Sequence, residues 1–258
     1  MNILITGSRG FIGSNFLKGL MKYGTTATLY EYNRQTPFEY MEQFCSHSDL
    51  IFHFAGASRP ANELEYLNSN VTLTDNIVKF LRKSGNHCPI IYFSSIHVVE
   101  NPDTEYSKTK LAAENILLKY AEDCKAGVSI YRLPNVFGCG SRPNYTSVVA
   151  TFCHNIANNL PITINNVNTK LKLLYINDLV KDLISEIDDM EQEGLVYKEV
   201  GPIYDKRLIE IASLIADFAN SEIKDRQLAN WLQDSFTAKL YQTYISFLNK
   251  CGSNHSLR

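Results

Sequence analysis

The chain has 258 residues, 45% of them apolar and 20% charged, with 25 basic against 27 acidic side chains. That composition excludes wholesale disorder, and a net charge of −2 gives no reason to expect nucleic acid or an anionic membrane as the main partner. A chain of this length buries about three quarters of its extended surface on folding, so no metal or disulfide staple is needed.

Residues 2–6 form a short apolar run ended by glycine, which predicts a buried strand. Residues 11–23 follow as an amphipathic helix, with Ile12, Phe16, Leu17 and Leu20 on one face. Residues 27–32 predict a second strand, 38–46 a short helix, 49–55 a third strand and 63–82 one or two helices. Residues 89–94 predict a fourth strand, 105–122 a strong helix and 127–132 a fifth strand. Alternation of this kind predicts an α/β fold, a doubly wound parallel sheet of Rossmann type, with its core over 1–138. Beyond Gly138 the pattern loosens; 147–157, 177–188 and 208–220 read as helices. Residues 139–258 are expected to form a smaller substrate-binding lobe with returning elements, the whole making one compact unit, and 251–258 a frayed tail.

Cys45, Cys88, Cys124, Cys139, Cys153 and Cys251 are scattered, without a C-x-x-C pair or histidines at zinc-ligand spacing. They are expected to be reduced thiols in a cytoplasmic protein without a metal. The opening residues have neither the basic stretch nor the apolar length of a signal peptide, and no apolar run reaches the roughly 18 residues of a membrane span.

The first chemical signal is Thr6-Gly7-Ser8-Arg9-Gly10-Phe11-Ile12-Gly13, set between the first strand and the first helix. Glycines are required there where the chain turns sharply, where backbone approaches a pyrophosphate and where helix packs tightly on sheet. The helix N-terminus adds free N–H groups and a positive dipole end. A dinucleotide is therefore expected on Gly7, Arg9, Gly10, Phe11 and Ile12.

The spacing G-x-x-G-x-x-G in this setting resembles the short-chain dehydrogenase/reductase superfamily, and T-G-x-x-G-F-I-G its extended branch, which acts on nucleotide sugars. The resemblance implies a serine ending the fourth strand and a Tyr-x-x-x-Lys on the next helix. Ser94-Ser95 and Tyr106-Ser107-Lys108-Thr109-Lys110 stand at those places. Tyrosine and lysine at i and i+4 share one helix face, and an ammonium beside a phenol lowers the phenol pKa. Counting along the motif makes Ser95 the catalytic serine with Tyr106 and Lys110, leaving Ser94 to bond backbone. The resemblance also implies dinucleotide contacts from Ala55 and Gly56 and from Pro134 and Asn135 of the R-x-x-N-V-F-G segment. It implies an architectural role for Asn70.

Cofactor choice is contested. Glu31 ends the second strand, where an acid usually bonds the adenosine ribose and favours NAD. Arg9 and Arg34 suit a 2′-phosphate and favour NADPH. NADPH is expected, with NAD as the alternative.

A more specific resemblance runs through Asn33-Arg34-Gln35-Thr36, Ala55-Gly56-Ala57-Ser58-Arg59-Pro60, Arg142-Pro143-Asn144-Tyr145 and Leu240-Tyr241-x-Thr243-Tyr244. These are similar to the CapF-like enzymes of capsular-polysaccharide synthesis. That family joins a reductase of 4-keto-6-deoxy UDP-sugars to a zinc cupin epimerase. The resemblance implies an NADPH-dependent reductase in a UDP-N-acetyl-L-fucosamine-type route to capsule or O-antigen polysaccharide. Position 258 falls about where the cupin would begin, so a reductase-only relative, or an epimerase on a separate chain, is expected. Implied substrate contacts are Ser58, Arg59, His97, Asn135, Arg142, Asn144 and Tyr145. Ile96-His97 replace the Asp-Glu pair of nucleotide-sugar dehydratases, which argues against loss of water. Leu171-Lys172 replace an Arg-Asp pair, so no nucleotide-binding arginine is implied there. The alternatives are a nucleotide-sugar 4-epimerase or dehydrogenase with tightly held NAD, and a non-catalytic NAD(P)-binding sensor. A homodimer is implied through the helices after the third and fourth strands, the second of which carries Leu111, Ile116, Leu117 and Leu118.

Overall fold

A computed structural model describes residues 1–59, 62–220 and 231–252. The chain runs β1 (Asn2–Thr6), α1 (Phe11–Lys22), β2 (Thr28–Tyr32), α2 (Glu39–His47), β3 (Leu50–His53), α3 (Glu63–Tyr66), a π-helical turn (Leu67–Thr72) and α4 (Leu73–Ser84). It continues with β4 (Ile90–Ser95), α5 (His97–Glu100), α6 (Glu105–Cys124), β5 (Gly127–Leu133) and β6 (Asn135–Phe137). Then come α7 (Val148–Ala157), β7 (Lys170–Tyr175), α8 (Ile176–Ser185), β8 (Gly194–Lys198), β9 (Ile203–Arg207), α9 (Leu208–Ala219) and α10 (Ser235–Gly252).

Six strands form one parallel sheet in the order β2-β1-β3-β4-β5-β8. β3 and β4 are buried along their whole length. A parallel strand covered by helices on both faces has no solvent side, which is why these segments read as continuous apolar runs. β2 lies at the sheet edge and leaves Thr28 and Glu31 exposed. Leu4, Ile51, Tyr92 and Ile130 from the sheet pack with Leu81 of α4 and Leu117 of α6. The order of strands reverses between β1 and β3, so the crevice for a ligand opens at their carboxyl ends, beyond Thr6 and His53.

The chain divides into two compact units. The first comprises Met1–Pro134 and Val180–Val200, the second Asn135–Leu179 and the residues from Gly201 on. The change of unit comes at Pro134 rather than at 138, because β6 pairs with β7 instead of extending the large sheet. Val180–Val200 returns to the first unit because β8 adds to β5. In the second unit β6, β7 and β9 make a small sheet, with β7 and β9 antiparallel. Phe137 packs there against Tyr175 and Phe236.

The small strands β6, β8 and β9 and the helix α10 have no counterpart in the sequence reading. The expected frayed tail falls largely on 253–258, outside the described residues. Among the described residues no helix is long and apolar enough to cross a membrane.

Candidate active site

The glycine loop is built by steric exclusion. Gly7 holds φ +70°, and a Cβ there would lie 2.7 Å from the Ala55 nitrogen. A Cβ on Gly13 would lie 2.4 Å from the Gly7 carbonyl oxygen, so the first turn of α1 rests directly on the loop. Gly10 precedes α1 and offers no side chain to cap it. The N–H groups of the first helical turn, at Phe11, Ile12 and Gly13, thus point out of the helix at its positive end. A backbone cradle at a helix N-terminus, on the switch point of a parallel sheet, fits the pyrophosphate of a dinucleotide.

Two side chains of the next loop adjoin this cradle: Asn33 lies 3.5 Å from the Ser8 hydroxyl, and Gln35 accepts from Arg9. Arg34 instead pairs with Glu65 of α3 at 2.5 Å. Glu31 is exposed and its backbone oxygen accepts a hydrogen bond from Thr36. Ala55 donates its N–H to the Thr6 hydroxyl at 3.2 Å, which ties the turn after β3 to the end of β1. Asn70 is buried in the π-helical turn, where its amide accepts from the Ala57 N–H at 2.9 Å and donates to the Ala57 carbonyl at 3.2 Å. It therefore clamps the backbone just after Gly56.

The Ser95–Tyr106–Lys110 set assembles from two elements. Thr104 caps α6 by accepting from the Ser107 N–H, which fixes Tyr106 in the first turn. Ser95, at the end of β4, accepts from the His97 N–H at 3.2 Å, and its hydroxyl is near enough to the Tyr106 phenol to act on its pKa. Burial raises the phenol pKa of Tyr106, the Ser95 hydroxyl pulls it down, and Tyr66 pushes it up further. Lys110 is buried, donates to the Phe93 carbonyl at 2.7 Å and stands 4.8 Å over the Tyr92 ring. Burial lowers its pKa to about 8, and the Glu114 carboxylate opposes that fall. The expected lowering of the Tyr106 phenol is corrected: burial dominates, and its pKa is raised. The expected backbone bond of Ser94 is corrected too, since its hydroxyl donates to the Glu114 carboxylate at 2.5 Å.

His97 lies beside this set, with its ring 6.5 Å from that of Tyr106 and Nδ1 at 2.9 Å from the Asn101 amide. Tyr66 flanks the other side at 6.0 Å and donates its hydroxyl to the Ser58 carbonyl. Tyr66 escaped the sequence reading because nothing local marks it; only the packing of α3 against α6 brings it to Tyr106. Ser58 and Arg59 are exposed on the turn after β3, and Pro134 is buried at the end of the first unit.

Asn135, Arg142, Asn144 and Tyr145 belong to the second unit. Asn135 reaches the Lys172 carbonyl at 3.4 Å. Arg142 covers the Tyr145 ring at 5.3 Å, and Asn144 takes φ 54°, a left-handed conformation that asparagine tolerates, with its N–H on Thr151.

Residues 3–194 match the family described as NAD dependent epimerase/dehydratase. A "UDP-2-acetamido-2,6-beta-L-arabino-hexul-4-ose reductase" of Pseudomonas aeruginosa is 38% identical over 248 residues, covering 96% of this chain and 65% of the relative. The chain thus spans about two thirds of that relative's length. The capsular polysaccharide assembling protein CapF of Staphylococcus aureus superposes with a TM-score of 0.81 at 32% identity, covering all of this chain and 67% of that one. A UDP-glucuronic acid 4-epimerase of Bacillus cereus, solved with NAD, has a TM-score of 0.80 at 17% identity and shares the fold.

Proposed function

The chain belongs to the NAD dependent epimerase/dehydratase family, and from that premise we propose that it reduces the 4-keto group of a UDP-linked 4-keto-6-deoxy sugar with NADPH. The observation that carries this reading is its likeness to the hexul-4-ose reductase over nearly the whole chain. The reading places the reaction in a UDP-N-acetyl-L-fucosamine-type route to capsule or O-antigen polysaccharide, with any epimerisation at another centre.

The bound dinucleotide supplies a hydride. The protein's own residues supply the proton and the geometry. A carbonyl gaining hydride becomes an alkoxide unless a proton arrives with it. Tyr106 is the proton donor, and its raised pKa keeps the phenol protonated near neutral pH, the form a reductase needs. The Ser95 hydroxyl, which acts on the phenol, orients the keto oxygen beside it. Lys110 holds a positive charge below both. Tyr66 and His97 wall the phenol on two sides and limit water around it.

The adenosine end supports NADPH. Arg9 is exposed within the glycine loop, and Arg34 is exposed in the loop after β2, where it pairs with Glu65. Two guanidinium groups offer charge-assisted bonds to a 2′-phosphate, while Glu31 is free to turn to solvent.

The test is a panel of 4-keto UDP- and dTDP-sugars with NADPH, followed by nicotinamide absorbance. Net oxidation of NADPH with a 4-keto UDP-sugar is the expected result. A protein that binds NADPH and oxidises none with any of them would refute the reductase. A tightly retained NAD, with interconversion of 4-epimers and no net consumption, would establish the epimerase instead.

A further inference from the structure

Glu114 and Glu186 are buried carboxylates of the first unit that the proposed reaction leaves unused, and Glu114 is the one on the helix of Tyr106 and Lys110. It stands one helical turn beyond Lys110, as Lys110 stands one turn beyond Tyr106, so the three lie in a row on α6. Its carboxylate is fully engaged. Oε1 accepts from the Ser94 hydroxyl at 2.5 Å and from Arg132 Nε at 3.0 Å. Oε2 accepts from Arg132 Nη2 at 2.5 Å and from the Tyr197 hydroxyl at 3.2 Å. Ser94 and Arg132 are register partners across β4 and β5. One carboxylate on α6 thus grips the carboxyl-end residues of two adjacent strands, immediately before Ser95.

We propose that Glu114 is a positioning residue: it fixes α6, and with it Tyr106 and Lys110, against the strand that carries Ser95, with its carboxylate one helical turn from Lys110.

Several charged or titratable groups face Lys110. Tyr92 and His53 face it from the sheet, and Glu114 from its own helix. Arg132 stands behind Glu114. Burial pushes the Tyr92 phenol well up and holds His53 neutral, so Glu114 is the anion among these groups. A Cβ on Gly56 would lie 3.1 Å from Lys110 Nζ, so the ammonium also touches the turn that borders the dinucleotide crevice. A bidentate arginine–carboxylate pair is rigid, and its desolvation is offset only while both partners are present. Neutralising Glu114 removes the anion and leaves the Arg132 cation uncompensated behind Lys110. Both changes lower the pKa of Lys110.

The catalytic consequence rests on the reductase reading, but the charge of Lys110 can be read without any substrate. Lysine is labelled at its terminal carbon, the Lys110 resonance is assigned by its loss in Lys110→Arg, and its midpoint is followed by NMR against pH. In Glu114→Gln the midpoint is expected to fall by about one unit, a tenfold change in proton affinity. Ser94→Ala keeps the carboxylate and is expected to leave the midpoint in place. If Glu114→Gln does not fold, the double variant Glu114→Gln, Arg132→Met removes both charges of the pair, and its midpoint is expected below that of the native protein. A native midpoint in whichever of these two variants folds overturns the proposal. Where 4-keto sugar turnover is measurable, its alkaline limb moves down in the same variant. A shifted Lys110 midpoint in a protein that reduces no 4-keto sugar would sustain the role of Glu114 and refute the reductase.

Discussion

Acid should destabilise the first unit through one residue, His53. The residue is 1% exposed, and its two ring nitrogens lie 2.7 Å from the Thr6 hydroxyl and 2.9 Å from the Thr74 hydroxyl. The direction of each bond follows from the neighbours. Thr74 donates its proton to the Asn70 carbonyl at 2.7 Å, so it accepts from His53 Nε2–H. Nδ1 is then the acceptor from Thr6, whose oxygen in turn accepts the Ala55 N–H. The ring is neutral, and a second proton would put a donor where an acceptor is needed. Burial, and secondarily the charge of Lys110, lowers its pKa to about 3. An unfolded histidine titrates near 6.5, so between about pH 6.5 and 3 the unfolded chain holds a proton that the native state lacks. Stability is unaffected above that window, falls as pH drops through it, and stops falling below it. At about 1.4 kcal/mol per pKa unit the full loss is about 5 kcal/mol, and the loss at about pH 4.5 is about 3 kcal/mol. That is a large part of a typical domain stability of about 5–15 kcal/mol. Urea unfolding at about pH 7 and 4.5 measures it in the native protein and in His53→Gln, whose amide can accept from Thr6 and donate to Thr74. The native protein should lose about 3 kcal/mol more than the variant over that interval. Equal losses in the two proteins would refute the neutral, buried imidazole.

Tyr106→Phe keeps the ring between Tyr66 and His97 and removes the proton; turnover should fall by about 10²–10⁴ with NADPH binding unchanged, and retention of more than half the native rate would exclude Tyr106 as the acid. Gly13→Ala drives a methyl group into the Gly7 carbonyl and should cost about 1–3 kcal/mol in urea unfolding together with most of the dinucleotide affinity in a fluorescence titration. The double variant Arg9→Ala, Arg34→Ala should raise KM for NADPH far more than for NADH; an unchanged preference would return Glu31 to its usual role of favouring NAD. Leu111 and Leu118 are 40% and 41% exposed on one face of α6, whereas Leu117 belongs to the core. Leu111→Glu, Leu118→Glu should convert a dimer to a monomer in light scattering, and a native protein that is already monomeric at micromolar concentration would refute the dimer.

Much of the site was legible because its signals are local. Three glycines in a strand-to-helix turn report a backbone requirement, and that requirement is met within residues 7–13. Tyr106 and Lys110 are read from one helical period, and the cap at Thr104 sets where that period begins. The alternation of apolar runs with amphipathic stretches is likewise a local property, and it suffices for the parallel sheet up to β5. The strands β6, β8 and β9 are three to five residues long and carry no strong alternation, so their identity depends on the partner each one meets.

The sequence by itself determined the α/β class and the glycine turn, because each follows from spacing along one or two neighbouring elements, whereas Ser95, Tyr106 and Lys110 were picked out by the family resemblance. Only the tertiary structure decided what surrounds that triplet. Ser94 turned to Glu114 rather than to backbone, because the β4–β5 register sets it beside Arg132 under α6. The Tyr106 phenol is raised rather than lowered, because burial in the packed site outweighs the pull of Ser95. His53 became a neutral link between Thr6 and Thr74, residues far from each other in the chain, because the β1–β3 register sets Thr6 beside it and the first turn of α4 brings Thr74 to its other ring nitrogen. A side chain's charge state depends on which groups face it across the core, and strand order and register choose those groups only when the sheet forms.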